Sequence, residues 1–94
     1  MRVVWTAPAS ADREQIVFFI AQDDPQAAMD MDSLLTDSAA SLATFPARGR
    51  RGRVSGTREI VVHKNYILVY SIDTANSIVY IKAVLHAGRQ YPPE

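Results

Sequence analysis

The stretch Ser77 to His86, SIVYIKAVLH, decides the fold. Read with a period of two, it puts Val79, Ile81, Ala83 and Leu85 on one face, and Tyr80, Lys82 and His86, with Ile78 and Val84, on the other. A strand with one wholly apolar side has to bury that side against a second layer. The apolar side is expected to meet helices, leaving Lys82 and His86 on an open sheet face that is the candidate working surface. Two further segments, Thr57 to Val62 and Tyr66 to Ile72, have strand character, and the connectors His63-Lys64-Asn65 and Asp73-Thr74-Ala75-Asn76 are short enough for hairpin turns. The second half of the chain therefore reads as a meander. Tyr66 and Tyr70 alternate with Leu68 and Ile72, which reads as core or core edge and not as a base-stacking platform.

Outward from the meander, Ala47 to Gly56 (ARGRRGRVSG) is a glycine-rich, very basic loop carrying Arg48, Arg50, Arg51 and Arg53. Before it lie two helical patterns. From about Pro8 to Gln22, Ile16, Phe19 and Ile20 recur at helical spacing, with Asp12 and Glu14 early, where the helix dipole favours negative charge. Asp23-Asp24-Pro25 then gives an acidic cap with proline at the first helical position. The following stretch to about Thr44 spaces Ala28, Met31, Leu35, Ala39 and Leu42 by threes and fours. So short a link makes the two helices antiparallel. Val3, Val4 and Trp5 form a short first strand that Pro8 ends. Val17, Phe18, Met29 and Leu34 fall off the helical stripes and leave extra apolar surface on the hairpin.

Composition bounds the rest. With 94 residues the chain is one domain, 1–94, and a two-domain enzyme is excluded. The absence of cysteine removes disulfides, thiolate nucleophiles and Cys-based metal sites, and fits a reducing cytoplasm. No apolar run reaches the ~18 residues of a spanning helix, and the opening apolar run is too short for a signal peptide. The zero net charge conceals a polarity: residues 1 to 45 hold two basic and seven acidic side chains, residues 46 to 94 eight basic and three acidic ones. A basic back half is suited to an anion, either nucleic acid or an acidic protein surface. Glu59 points away from Arg58 along its strand and, if that face is the one the helices cover, calls for a partner such as an arginine of the basic loop.

The order β-α-α-β-β-β, and the strings Pro25-Gln26-Ala27-Ala28, Phe45-Pro46, Gly49-Arg50, Gly56 to Val62, Tyr66 to Tyr70, and Val84-Leu85-His86 with Arg89 and Tyr91-Pro92, resemble the RelE/ParE superfamily of type II toxin–antitoxin toxins. The resemblance covers nearly the whole chain. It implies an α+β domain with a helical hairpin packed on one face of a small, mainly antiparallel sheet. It also implies a cognate antitoxin that seats a helix on the hairpin, here on Val17, Phe18, Met29 and Leu34.

Within the superfamily, RelE-like members cut messenger RNA on the ribosome, whereas ParE-like members poison DNA gyrase. The ribonucleases place cations on the central strands, because breaking RNA through its 2′-hydroxyl needs a base, an acid and positive charge. Here the first of those positions falls on Arg58, but the next two fall on Ile60 and Ile67, which are expected together on the sheet face turned away from the helices and leave it too apolar to break a phosphodiester. Arg89 and Tyr91 stand near the late arginine and tyrosine. His86 stands near the late histidine of YafQ-like ribonucleases, whose companion positions fall on Val61 and Asn65. The resemblance therefore implies a ParE-like gyrase poison with no cofactor or metal. Its target or an anion is met by Arg48, Arg50, Arg51, Arg53, Arg58, Lys82 and Arg89. The alternatives are a ribosome-dependent endoribonuclease using His86, Arg89, Tyr91 and Arg58, and an inactive antitoxin-binding protein.

Overall fold

A computed structural model describes residues 1–88 and residue 91. Its elements run β1 (Arg2–Trp5), α1 (Ala7–Asp23), α2 (Pro25–Ser41), β2 (Arg50–Arg51), β3 (Arg58–His63), β4 (Tyr66–Asp73) and β5 (Ile78–His86), with one 3₁₀ turn at Pro46–Arg48. The α+β architecture is the one expected. Only the two-residue β2, inside the basic loop, is additional. Strand order across the sheet is β1-β5-β4-β3-β2; β1 runs parallel to β5, and the other neighbours are antiparallel.

Single residues set the helix ends. Thr6 caps α1, and its hydroxyl donates to the Ile81 carbonyl at 2.6 Å, so the point where β1 becomes helix is tied to β5. Asp24 serves both helices. Its backbone N–H closes α1 on the Ile20 carbonyl, while its carboxylate accepts from the N–H groups of Gln26 and Ala27 at 3.1 Å each. Pro25 follows at the first position of α2, where its missing N–H costs nothing. Ala28, Met31, Leu35, Ala39 and Leu42 are buried as their spacing predicts. Helix α2 ends at Ser41, three residues before the expected limit, and Leu42 packs inward from the turn that follows.

Sheet faces depart from simple alternation. Val69 pairs with Ala83 but Tyr70 pairs with Ile81, so Lys82 is an extra residue bulged out of β5. Before the bulge, Val79 and Ile81 pack under the helices with Ala9, Ala39, Leu42, Leu68 and Tyr70. After it, Val84 takes the helix side against Met31 and Leu35. Ala83 and Leu85 turn to the outer face with Ile67 and Val69, where Tyr91 packs on them. The expected apolar row Val79, Ile81, Ala83, Leu85 is thus split between two faces by one inserted residue.

Two other expectations need correction for the same reason of orientation. Ile60 is buried in the helix-side core while Ile67 lies on the outer face, so the two isoleucines do not share a surface. Phe19, placed in the core stripe with Ile16 and Ile20, is 70% exposed. Phe18 and Phe19 are adjacent on one helix, about 100° apart around its axis, and only the Ile16–Ile20 side reaches the cluster around Leu35.

Candidate functional site: the basic turn and the apolar hairpin

The basic loop is built around one buried tyrosine. Tyr70, fully buried in β4, accepts from the Gly49 N–H at 2.9 Å and donates to the Pro46 carbonyl at 2.6 Å. Glycine is needed there, because an added Cβ would lie 2.6 Å from the Tyr70 hydroxyl oxygen and 2.9 Å from the Glu59 carbonyl oxygen. From this anchor the chain enters β2, whose register sorts the arginines. Arg50 stands opposite Glu59, and Arg51 stands opposite Arg58.

Glu59, only 3% exposed, has the partners its sequence position calls for: Arg50 Nη2 at 3.3 Å, Arg53 Nε at 3.5 Å and the Arg53 backbone N–H at 2.9 Å. The carboxylate lies on the outer face, in the row with Val69 and Ala83, and not under the helices. Three contacts to a buried carboxylate would be costly to lose, whereas both guanidiniums still reach solvent. Arg58 donates through Nη1 to the carbonyls of Gly49 at 2.8 Å and Ala47 at 3.3 Å, tying the loop to β3. Arg48 bonds the Ser41 hydroxyl at the end of α2. Arg51 is exposed and makes no side-chain bond among the described residues.

His86 lies far from this cluster. Arg58 is in line with Tyr70 and Ile81, His86 with Tyr66, so four residues of β4, on the order of 13 Å, separate the two rows. The bulge also puts His86 on the helix side, which corrects the open-face expectation. It stacks edge-on against Tyr66 with ring centroids 5.5 Å apart. Together with Asp12, Gln15, Ile16, Phe19 and Val84, these two rings line a groove of about 320 Å³. Asp12 is occupied there, accepting from the Val84 N–H at 3.0 Å, where β5 has run past the end of β1. Lys82 is exposed at the bulge, Tyr91 packs on the outer face, and Arg89 lies outside the described residues. The structure therefore does not bring His86 and Arg58 together. Among the described residues, no three His, Asp or Glu side chains converge as a metal site.

On the hairpin, Phe18 is 70% exposed, Met29 64% and Leu34 41%, while Val17 is half-buried. Val17 and Phe18 line a concavity of about 520 Å³ with Arg13, Ala21 and Asp32. Arg13 locks this surface from within. Its Nε meets Asp32 at 2.7 Å, its Nη2 donates to the Thr36 hydroxyl at 2.6 Å, and its guanidinium lies 4.8 Å from the Trp5 ring centroid. Sequence reading missed this role, although a lone arginine in an acidic hairpin was a legible signal. It also missed the exposure of Phe19 and of Phe45, 65% exposed.

No described helix is long and apolar enough to cross a membrane. Residues 3–91 match the family model for the ParE toxin of the type II toxin–antitoxin system parDE. The chain is 40% identical over 88 residues to Toxin RelE2 of Caulobacter vibrioides, covering 94% of this chain and 97% of that protein. It is 37% identical over 92 residues to Y4kP of Sinorhizobium fredii, a protein with a provisional toxin name, covering 97% and 93%. Its fold is similar to that in the chromosomal ParDE toxin–antitoxin system from P. aeruginosa, with a TM-score of 0.79 at 18% identity over 92% of this chain and 95% of that one. A chain of the RelBE2 toxin–antitoxin complex from Mycobacterium tuberculosis gives 0.65 at 25% identity over 90% and 95%. The match along almost the whole length, joined to the helical hairpin on a five-stranded sheet, makes this chain a member of the ParE toxin family within the RelE/ParE superfamily.

Proposed function

We propose that the chain poisons DNA gyrase in the cytoplasm, as a ParE-like toxin, and is neutralised by a cognate antitoxin. The observation that carries the gyrase reading is the dispersal of acid–base and cationic groups among the described residues. Cleaving RNA through its 2′-hydroxyl requires a base, an acid and a cation around one phosphate, each within about 3 Å of the atom it serves. Here the rows that hold His86 and Arg58 stand four residues of β4 apart, on the order of 13 Å. The intervening positions Ile60 and Ile67 are buried and apolar. Two of the loop arginines are committed to Glu59. Such a surface is suited to holding an anion and not to breaking one.

The mechanism is then non-covalent: the basic half docks on the gyrase–DNA complex and stalls it after strand cleavage. Arg48, Arg51 and Arg58 face the target, with Arg50 and Arg53 held at its margin by Glu59; Lys82 and Arg89 complete the set read from sequence. The antitoxin's helix seats on Val17, Phe18, Met29 and Leu34, as a helix-in-groove contact.

The test compares gyrase supercoiling and cleaved-DNA accumulation with messenger cleavage on translating ribosomes. Gyrase inhibition with intact messenger is the expected result. The RelE name of the 40%-identical Caulobacter protein favours a second reading, ribosome-dependent endoribonuclease. Messenger cleavage lost in His86→Ala would establish that reading and end the first. Growth without arrest on expression would leave only an antitoxin-binding protein.

A further inference from the structure

The arginines of the basic loop are not equivalent, and the β2–β3 register explains why. Cross-strand partners point to the same face at a Cα separation of about 5 Å. On one face Arg50 opposes Glu59, an attractive pair. On the other Arg51 opposes Arg58, two like charges that repel each other unless an anion lies between them. Arg58 is not free to swing away, because the carbonyls of Gly49 and Ala47 hold its Nη1. Its other N–H groups make no bond among the described residues.

Beside this pair the turn closes into a concavity of about 560 Å³, lined by Arg51, Arg53 and Arg58 together with Ser55, Thr57 and Gly56. No carboxylate lines it among the described residues. The turn is a fixed frame. Gly52 N–H bonds the Thr57 carbonyl at 2.8 Å, Thr57 N–H bonds the Val54 carbonyl at 3.1 Å, and Gly56 takes a φ of 82° that suits glycine. Arg51 and Arg58, directly opposed on a fixed backbone, with Arg53 beside them on Glu59, form a receptor for an oxyanion.

We propose that this concavity is a phosphate-binding site that holds the backbone of duplex DNA. The inference deepens the gyrase reading and rests on it for the choice of DNA. A nucleic-acid backbone suits the site because it repeats a charged group with two non-bridging oxygens at every nucleotide, so that one phosphate can meet the Arg51–Arg58 pair while its neighbour meets Arg53 from the solvent side.

The test uses the full chain and a short labelled DNA duplex, with binding followed by fluorescence anisotropy across a salt series. Arg51→Ala is expected to weaken duplex binding about tenfold and to reduce the salt slope by about one, while Lys64→Ala, an equal loss of charge in a distant turn, stays within about twofold. Arg51→Gln gives the same result if the alanine variant shifts the melting midpoint. Duplex affinity within twofold of the parent for both Arg51 variants overturns the site. Poly-glutamate competing as well as duplex at equal charge, or RNA of equal length binding tenfold tighter, overturns the DNA assignment. Gyrase inhibition measured in parallel separates the two ideas. Arg51-dependent DNA binding without gyrase inhibition defeats the gyrase reading and keeps the site, whereas gyrase inhibition that ignores Arg51 defeats the site and keeps the reading.

Discussion

The helical hairpin and the β2–β3 turn both expose chemistry suited to partners, but they hold it in opposite ways. On the hairpin, the polar lock lies inside: Arg13 ties α1 to Asp32 and Thr36 of α2, and apolar side chains are left outside. In the turn, the inside is the Tyr70 hydroxyl and the Glu59 carboxylate, and cations are left outside. An apolar surface can be altered without disturbing the polar lock beneath it. In a cationic surface built on a buried carboxylate, Arg50, Arg53 and Arg58 are frame and surface at once, and among the described loop arginines Arg51 alone can be altered without loosening that frame.

Four substitutions break or sharpen that contrast. Gly49→Ala strikes the turn's frame, pushing a methyl group against the Tyr70 hydroxyl and the Glu59 carbonyl. It should cost about 3 kcal/mol and lower the melting midpoint by on the order of 15 °C in a thermal melt. Phe18→Asp strikes the hairpin's outside. Antitoxin affinity by calorimetry should fall about 30-fold, roughly 2 kcal/mol, while the free toxin's stability moves by less than about 0.5 kcal/mol. A large stability loss there would erase the distinction between the two regions.

Glu59→Gln tests the shared frame from the other side. The buried position keeps its shape but loses its charge, and Arg50 and Arg53 are partly solvated, so the expected cost is about 1 to 2 kcal/mol by urea unfolding. The smallest effect belongs to the β4–β5 turn. The side-chain amide of Asn76, and then its backbone N–H, hold the Asp73 carboxyl below its ordinary 3.8. A depressed folded value favours the charged form, so this contribution is present above the ordinary value and fades as pH falls through the folded one. Asp73→Ala should therefore differ from the parent at neutral pH and converge with it in acid unfolding once the pH has fallen below the ordinary carboxyl value. Persistent divergence there would point to lost turn geometry instead of charge.

What could be read in advance, and what could not, divides along the range of the forces involved. Asp24-Pro25 between two helical periods fixed the hairpin, since a cap and a proline act within one turn of chain. The need of Glu59 for an arginine of the basic loop was also legible, because a buried carboxylate must be paired whatever the fold. The sides taken by His86, Ala83, Leu85 and Ile60 were not. Each depends on register against β4, and one unpaired residue, Lys82, reverses every side chain beyond it.

By itself, then, the amino-acid order determined the elements, their succession and the uneven distribution of charge, all set by neighbours a few positions apart. Only tertiary pairing decided which arginines are neutralised, which two confront each other across β2 and β3, and how far His86 stands from them. Those outcomes depend on strands brought together from distant parts of the chain, and no local pattern records where a ladder will slip by one residue.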